Sequence, residues 1–352
     1  MRVLTKRGES MKMHDRKLKI LYAIVKDYIE TADAVGSRTL SKKYNLGVSA
    51  ATIRNEMADL EELGYLTQPY TSSGRVPSDS AYREYVNYIM ALKKKTSQRK
   101  HDIESNVASK IGEMRELLHY SSKILSEITS YTTIALSPHI EGCRVESIQF
   151  VKISSEMILA IIVTDTGVIR KPVFRIIGGI DSTTLQKITN LLNYKMKGLT
   201  LREVEQLLLR EINREASELE KATIKVLPEL LKTLEKIDEY DIMFNGTANI
   251  FNFPEYNDVV RAKAFFSMLE KKQAMYNLIA AINNDGISIS IGKENDFDEA
   301  KECTLITATL KNDGNIVGWL TVIGPTRMEY TKVLKDIRYV SAFVNELMNH
   351  KY

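Results

Sequence analysis

Only two cysteines occur in the 352 residues, Cys143 and Cys303, far apart and in no paired spacing. That scarcity fits a reducing compartment and argues against a disulfide framework or a cysteine-based zinc site. The five histidines, His14, His101, His119, His139 and His350, are equally scattered. No Ser/His/Asp, Cys/His or paired-carboxylate constellation can be assigned to one place, so neither catalysis nor a cofactor nor a metal is expected. Long apolar runs are missing as well. The longest, residues 157–163, is far too short to span a bilayer. The basic residues at the N-terminus have no apolar stretch behind them, so cytoplasmic residence is expected rather than secretion. Residues 1–13 read as a loose basic leader, with Met1, Met11 and Met13 as alternative starts.

What is present is an ordinary globular composition, 44% hydrophobic and 27% charged, in a chain long enough for two or three domains. The net charge of +4 hides an asymmetry. Residues 1–100 hold 19 Lys and Arg against 11 Asp and Glu, a balance of +8, and the remaining 252 residues carry −4. A basic end on a mildly acidic body suggests a phosphate-binding head, although an excess of solvated lysines would give the same sum.

Leu18, Leu21, Tyr22, Val25, Tyr28 and Ile29 form the apolar stripe of a first helix. Ser37 is placed to cap a short second helix with Leu40 and Tyr44 inward. Ser49 caps a third, with Val48 and Ile53 as a hydrophobic staple. Ile53, Met57, Leu60 and Leu63 make its buried stripe, and Gly64 stops it. Two short helices and a tight turn under a first helix predict a helix-turn-helix. The outward face of the third helix is small and polar: Ala51, Asn55 and Ala58, flanked by Thr52 and Arg54. Small residues let a helix sink into a major groove, where Asn and Arg grip base edges bidentately. A merely solvated face would more often carry Glu and Lys.

Residues 65–77 follow as a short strand, a Thr-Ser-Ser-Gly turn and a return strand, the wing of a winged helix. Ser72 and Ser73 can donate to phosphates, and Arg75 can reach phosphate or the minor groove. For the serines, a surface hairpin without DNA contact is the competing reading.

Several stretches now fall into place together. They are Tyr28-Ile-Glu-Thr31, Val35-Gly-Ser-Arg38, Ser49-Ala-Ala-Thr-Ile-Arg-Asn55, Asp59-Leu-Glu61 with Gly64-Tyr65, and Thr71-Ser-Ser-Gly-Arg-Val-Pro77 leading to Tyr82-Arg83. In this order they resemble the N-terminal domain of HrcA, the heat-inducible repressor family of bacterial chaperone operons. Ala34 and Ser80-Ala81 depart from that pattern, outside the third helix. The DNA-binding candidates are Ser37, Arg38, Ser49, Ala51, Thr52, Arg54, Asn55, Ser72, Ser73 and Arg75.

The body is less explicit. Residues 93–102 are a polar, basic junction, read as a linker that could also steer the head. From Ile103 an amphipathic pattern runs to Ile128, either a two-chain seam or a helix packed on the following sheet. Strands are expected over 145–151, 157–163 and 167–177, then a helical block over 181–240. Strands resume at 286–291 and 303–310, Asn312-Asp-Gly-Asn315 turns a hairpin, and a helix closes the chain from about Tyr330. Strands, helices and strands again suggest an insertion in an α+β domain. Gly246-Thr-Ala-Asn-Ile250 with Pro254-Glu255, Ile291-Gly-Lys-Glu-Asn295 and Val322-Ile-Gly-Pro-Thr-Arg-Met-Glu-Tyr330 also resemble HrcA. The Gly292 and Gly324 loops are read as structural turns rather than ligand loops.

The resemblance implies a winged helix over 14–92, a GAF-like domain over 103–180 with 245–352, and an inserted dimerising domain over 181–244. It further implies a homodimer on double-stranded DNA, an inverted-repeat (CIRCE) operator, and regulation by the chaperonin GroEL. An inverted repeat requires two heads related by a two-fold axis. The competing hypothesis is a small-molecule sensor whose GAF-like body binds an effector.

Overall fold

The computed structural model describes residues 3–4, 10–11, 15–70, 73–91, 114–137, 144–165, 169–200, 203–204, 206–207, 226–229, 242–281, 286–312 and 314–351. The expected linker 93–102, the start of the amphipathic pattern at Ile103, Cys143 and the candidate Ser72 lie outside the described residues. The fold is α+β.

In the expected leader, β1 (Val3–Leu4) pairs antiparallel with β2 (Ser10–Met11). The head follows. Helix α1 (Asp15–Thr31) buries Ile20, Leu21, Ile24 and Val25 completely, each worth about 1.5–3 kcal/mol of transfer free energy. Helix α2 (Ser37–Lys43) contributes Leu40. Its N-cap is Gly36 and not Ser37, which is the first helical residue. The extended Gly36 already offers its carbonyl to the Leu40 amide at 3.1 Å, so the helix starts one residue early and Ser37 makes no capping bond. Helix α3 (Ala50–Glu62) starts as expected: the Ser49 hydroxyl accepts from the Thr52 amide at 3.1 Å, a cap worth about 1 kcal/mol. Gly64, at φ +79°, ends it in a conformation that favours glycine. Strands β3 (Leu66–Thr67) and β4 (Val76–Pro77) pair antiparallel, and α4 (Asp79–Ala91) begins two residues later.

The body opens with α5 (Met114–Thr129) and β5 (Thr132–Leu136). A smaller unit comes next: β6 (Val145–Lys152), β7 (Met157–Thr164), β8 (Ile169–Arg170), β9 (Val173–Arg175) and α6 (Ser182–Met196). The chain rejoins the main sheet at β10 (Ile242–Asn245). After α7 (Val259–Glu270) and α8 (Lys272–Ala280) come β11 (Ile287–Ile291), β12 (Cys303–Asn312), β13 (Asn315–Pro325) and α9 (Tyr330–Lys351).

The main sheet has the order β10-β5-β13-β12-β11 and is antiparallel throughout. Period-two alternation sends Ala135, Ile306, Ala308, Leu320 and Val322 to the face that packs with α5 and α9. Ile134, Leu136, Leu305, Trp319 and Ile323 go to the other face, with Phe265 and Met268 of α7 and Ile279 of α8. Cys303 lies in that second layer, where burial pushes its thiol up to about 11, far from a reactive thiolate.

The smaller unit has a core of its own. Ile148, Phe150, Ile158, Ile162 and Phe174 of its sheet meet Leu185, Ile188 and Leu192 of α6, together with Val204, Val226 and Leu227. The expected boundary between residues 180 and 181 therefore cuts through one core. Strands β6–β9 belong with α6, not with the main sheet. Leu136 of β5 pairs directly with Ile242 of β10, so the chain leaves and re-enters the main sheet at neighbouring points.

The head is packed onto the body. Its Ile20, Ile24, Tyr82 and Val86 share one hydrophobic cluster with Leu117 and Leu118 of α5 and with Tyr330, Leu334 and Ile337 of α9.

Candidate nucleic-acid interface

Helix α3 is pinned from below. The Arg16 guanidinium donates to the Glu56 carboxylate at 2.8 Å, and Lys17 pairs with Asp59 at 2.6 Å. The hydrogen bond to Asp59 raises the Lys17 pKa above its ordinary value against the opposing effect of burial. With Ile53, Met57 and Leu60 buried, the rotation of α3 is fixed, and Ala51, Arg54, Asn55 and Ala58 face outward and exposed.

Beside that face lies an open cavity of about 670 Å³ between α2, α3 and the β3–β4 turn. Five candidate residues line it: Ser37, Arg38, Arg54, Ser73 and Arg75. Arg38 and Arg54 are exposed and enter no ion pair among the described residues. The two unpaired guanidinium groups on one concavity, with a third beside them, make an anion-attracting surface. The remaining described candidates, Ser49, Ala51, Thr52 and Asn55, sit along α3 outside the cavity.

Two candidates are already engaged. The Ser73 hydroxyl donates to the Tyr70 carbonyl at 2.7 Å and accepts from its amide at 3.0 Å, which closes the turn. Arg75 donates through Nε to Glu61 at 2.8 Å. Its backbone exchanges two hydrogen bonds with Val35, both 2.9 Å. A Cβ on Gly74 would lie 2.5 Å from the Val35 carbonyl carbon and oxygen. The Val35-Gly-Ser-Arg38 and Gly74-Arg75 stretches, distant in sequence, are thus welded into one wall of the cavity. Glu61, which holds Arg75, is not among the DNA-binding candidates, although it closes the Asp59-Leu-Glu61 stretch. Gln68 is not among them either. It lines the cavity and donates to the Ser73 carbonyl at 3.1 Å.

A family profile described as HrcA protein C terminal domain matches residues 115–334. The chain belongs to the HrcA family. The heat-inducible transcription repressor HrcA of Alkaliphilus metalliredigens is 46% identical over 342 residues, covering 97% of this chain and 100% of that one. The HrcA repressor of Clostridioides difficile is 43% identical, covering 95% and 99%. A crystal structure described only as that of a hypothetical protein aligns with a TM-score of 0.69 at 20% identity, over 97% of this chain and 100% of that one. At that identity the likeness is one of fold alone. Within the described residues of this HrcA family member, no helix is long and apolar enough to cross a membrane.

Proposed function

We propose that the chain is a dimeric, heat-inducible transcription repressor that reads an inverted-repeat (CIRCE) operator with a winged helix-turn-helix. The relatives' names support the repressor role. The observation that carries the DNA-reading assignment is the α3 face: Ala51 and Ala58 leave room for a groove wall, with Asn55 between them and Arg54 turned towards the three-guanidinium cavity. In this reading α3 is the recognition helix, and β3–β4 with the turn at Ser73 is the wing.

A gel shift on the inverted repeat, with and without chaperonin, tests the assignment. Arg54→Ala or Asn55→Ala is expected to cost roughly 1–3 kcal/mol of operator preference. Unchanged discrimination against scrambled DNA would remove α3 from base reading. Regulation by GroEL rests on the family resemblance, and a shift insensitive to chaperonin would count against it.

Arg75 needs a separate test, because Glu61 competes with phosphate for it. Arg75→Ala is expected to shallow the slope of log affinity against log salt by about one unit. Glu61→Gln, which uncovers the same charge, is expected to steepen it. If neither slope moves, Arg75 makes no phosphate contact.

The main sheet with its flanking helices is the GAF-like unit of this proposal, and β6–β9 with α6 is the dimerising insertion. The outer face of that small sheet supports the pairing role. Register places Leu159 between Val151 and Val173 there, the last two 39% and 45% exposed. Met157, Ile161 and Val163 continue the same half-exposed apolar face. Both faces of the main sheet are filled by packed side chains, which weighs against the effector-sensor alternative.

A further inference from the structure

Two body loops grip the head at the ends of its helices. Arg83 of α4 donates through Nε and Nη2 to the Glu294 carboxylate and through Nη2 to the Ile289 carbonyl at 2.7 Å. One turn earlier, the Asp79 carboxylate accepts from the Lys293 amide at 3.1 Å. It lies against Gly292, where a Cβ would come within 2.4 Å of it. Gly292 has φ +55°, so the loop uses glycine both for its shape and for the close approach of α4. Behind it, the Asn295 side chain, 1% exposed as a residue, reaches the carbonyls of Gly292, Ala300 and Cys303 at 2.9–3.1 Å and fixes the loop to the sheet.

The second grip is on α1. Arg327 forks onto Glu255 at 2.7 and 3.2 Å and donates through Nη1 to the Ile29 carbonyl at 2.7 Å. Ile29 stands in the last turn of α1, where carbonyls lack helical partners and the helix dipole favours a cation. Burial lowers the Arg327 pKa, but the hydrogen bond and charge of Glu255 overcome it, so the group is held cationic. The Tyr82 and Tyr330 rings, 6.0 Å apart, are a further head–body contact.

We propose that Arg83 and Arg327 are positioning residues that hold the DNA-reading head at one angle on the body, so that the half-site spacing accepted by the dimer is set through them. The inference rests on the DNA-reading and dimer assignments above. Both arginines bind through planar forks, which fix direction as well as distance. Neither lines the α3 cavity. Only Ser78 separates β4 from α4, so a change in the seat of α4 carries the wing with it.

The test uses the full chain with Arg83→Met, Glu294→Gln and Arg327→Met, on a half-site duplex and on inverted repeats. One repeat has the natural spacer and another is lengthened by about 5 base pairs, half a helical turn. The wild type is expected to bind the natural spacer and to lose affinity steeply on the longer one. Each variant is expected to keep half-site affinity within about twofold, bind the natural spacer roughly tenfold more weakly and show a flatter spacer dependence. A wild-type spacer profile in all three variants overturns the positioning role. So does loss of half-site affinity in both Arg83→Met and Glu294→Gln, which marks a folding role instead. A wild type with no preference for the inverted repeat over scrambled DNA removes the DNA-reading assignment itself, and the inference with it.

Discussion

Replacing Gly74 by alanine is expected to lower stability by about 1–3 kcal/mol and to weaken operator binding more than any single contact residue on α3. The added methyl would sit 2.5 Å from the Val35 carbonyl carbon and oxygen and 2.7 Å from the Ala34 carbonyl carbon. All three are backbone atoms, which cannot swing away as a side chain tip can. Gly74 does not need a left-handed conformation, so the penalty is steric and not conformational. Relief requires the wing to lift from residues 34–35, which breaks the paired Val35–Arg75 hydrogen bonds, each worth about 0.5–1.5 kcal/mol. The cavity that gathers Arg38, Arg54 and Arg75 would open with it. Thermal melting and fluorescence anisotropy on operator DNA read the two effects. An alanine variant that melts and binds like the wild type would show that the wing is not seated as described.

Excising residues 138–241 and closing the gap with a short turn is expected to leave a folded monomer. Leu136 and Ile242 are direct partners on adjacent antiparallel strands, so a turn can join them without disturbing the five-stranded sheet. Without the insertion, the proposed dimer would no longer link its two heads. Affinity for the inverted repeat should fall by about 10²–10⁴, the usual range for lost avidity, while half-site binding survives. Excising 181–240 alone is a different experiment. It strips α6 from the sheet and exposes Ile148, Phe150, Ile158, Ile162 and Phe174, so aggregation is the expected result. Light scattering after size exclusion reads the oligomer. A dimeric 138–241 excision variant would move the pairing role elsewhere in the chain.

The contrast between these excisions marks where sequence reading stopped. Local signals carried the head. The Ser49 cap and the Gly64 stop each act within a few residues, and both took their expected places. The hairpin at Asn312–Asn315 was legible for the same reason. Capping of α2 was misread by one residue because Gly36 and Ser37 are both acceptable caps, and only the backbone path decides between them. Sequence marked β6 and β7 as strands, but a strand's own residues carry no information on which sheet it joins. The grips on the head were invisible for a stronger reason. Arg83 and Glu294 are 211 residues apart, and Arg327 and Ile29 are 298 apart. No periodicity links such positions, so the Gly292 and Gly324 loops could be read only as turns.

The Glu61–Arg75 pair bears on how a repressor searches. A genome presents a vast excess of sequences to be rejected, and a wing bearing bare charge would linger on all of them. With Glu61 against it, the Arg75 guanidinium adds little to the potential felt by passing DNA beyond a Debye length. Under the proposed wing role, its charge would become available only to a phosphate close enough to displace the carboxylate. If Arg75 meets phosphate as proposed, the pair would trade some dwell time on arbitrary DNA for a faster return to the search.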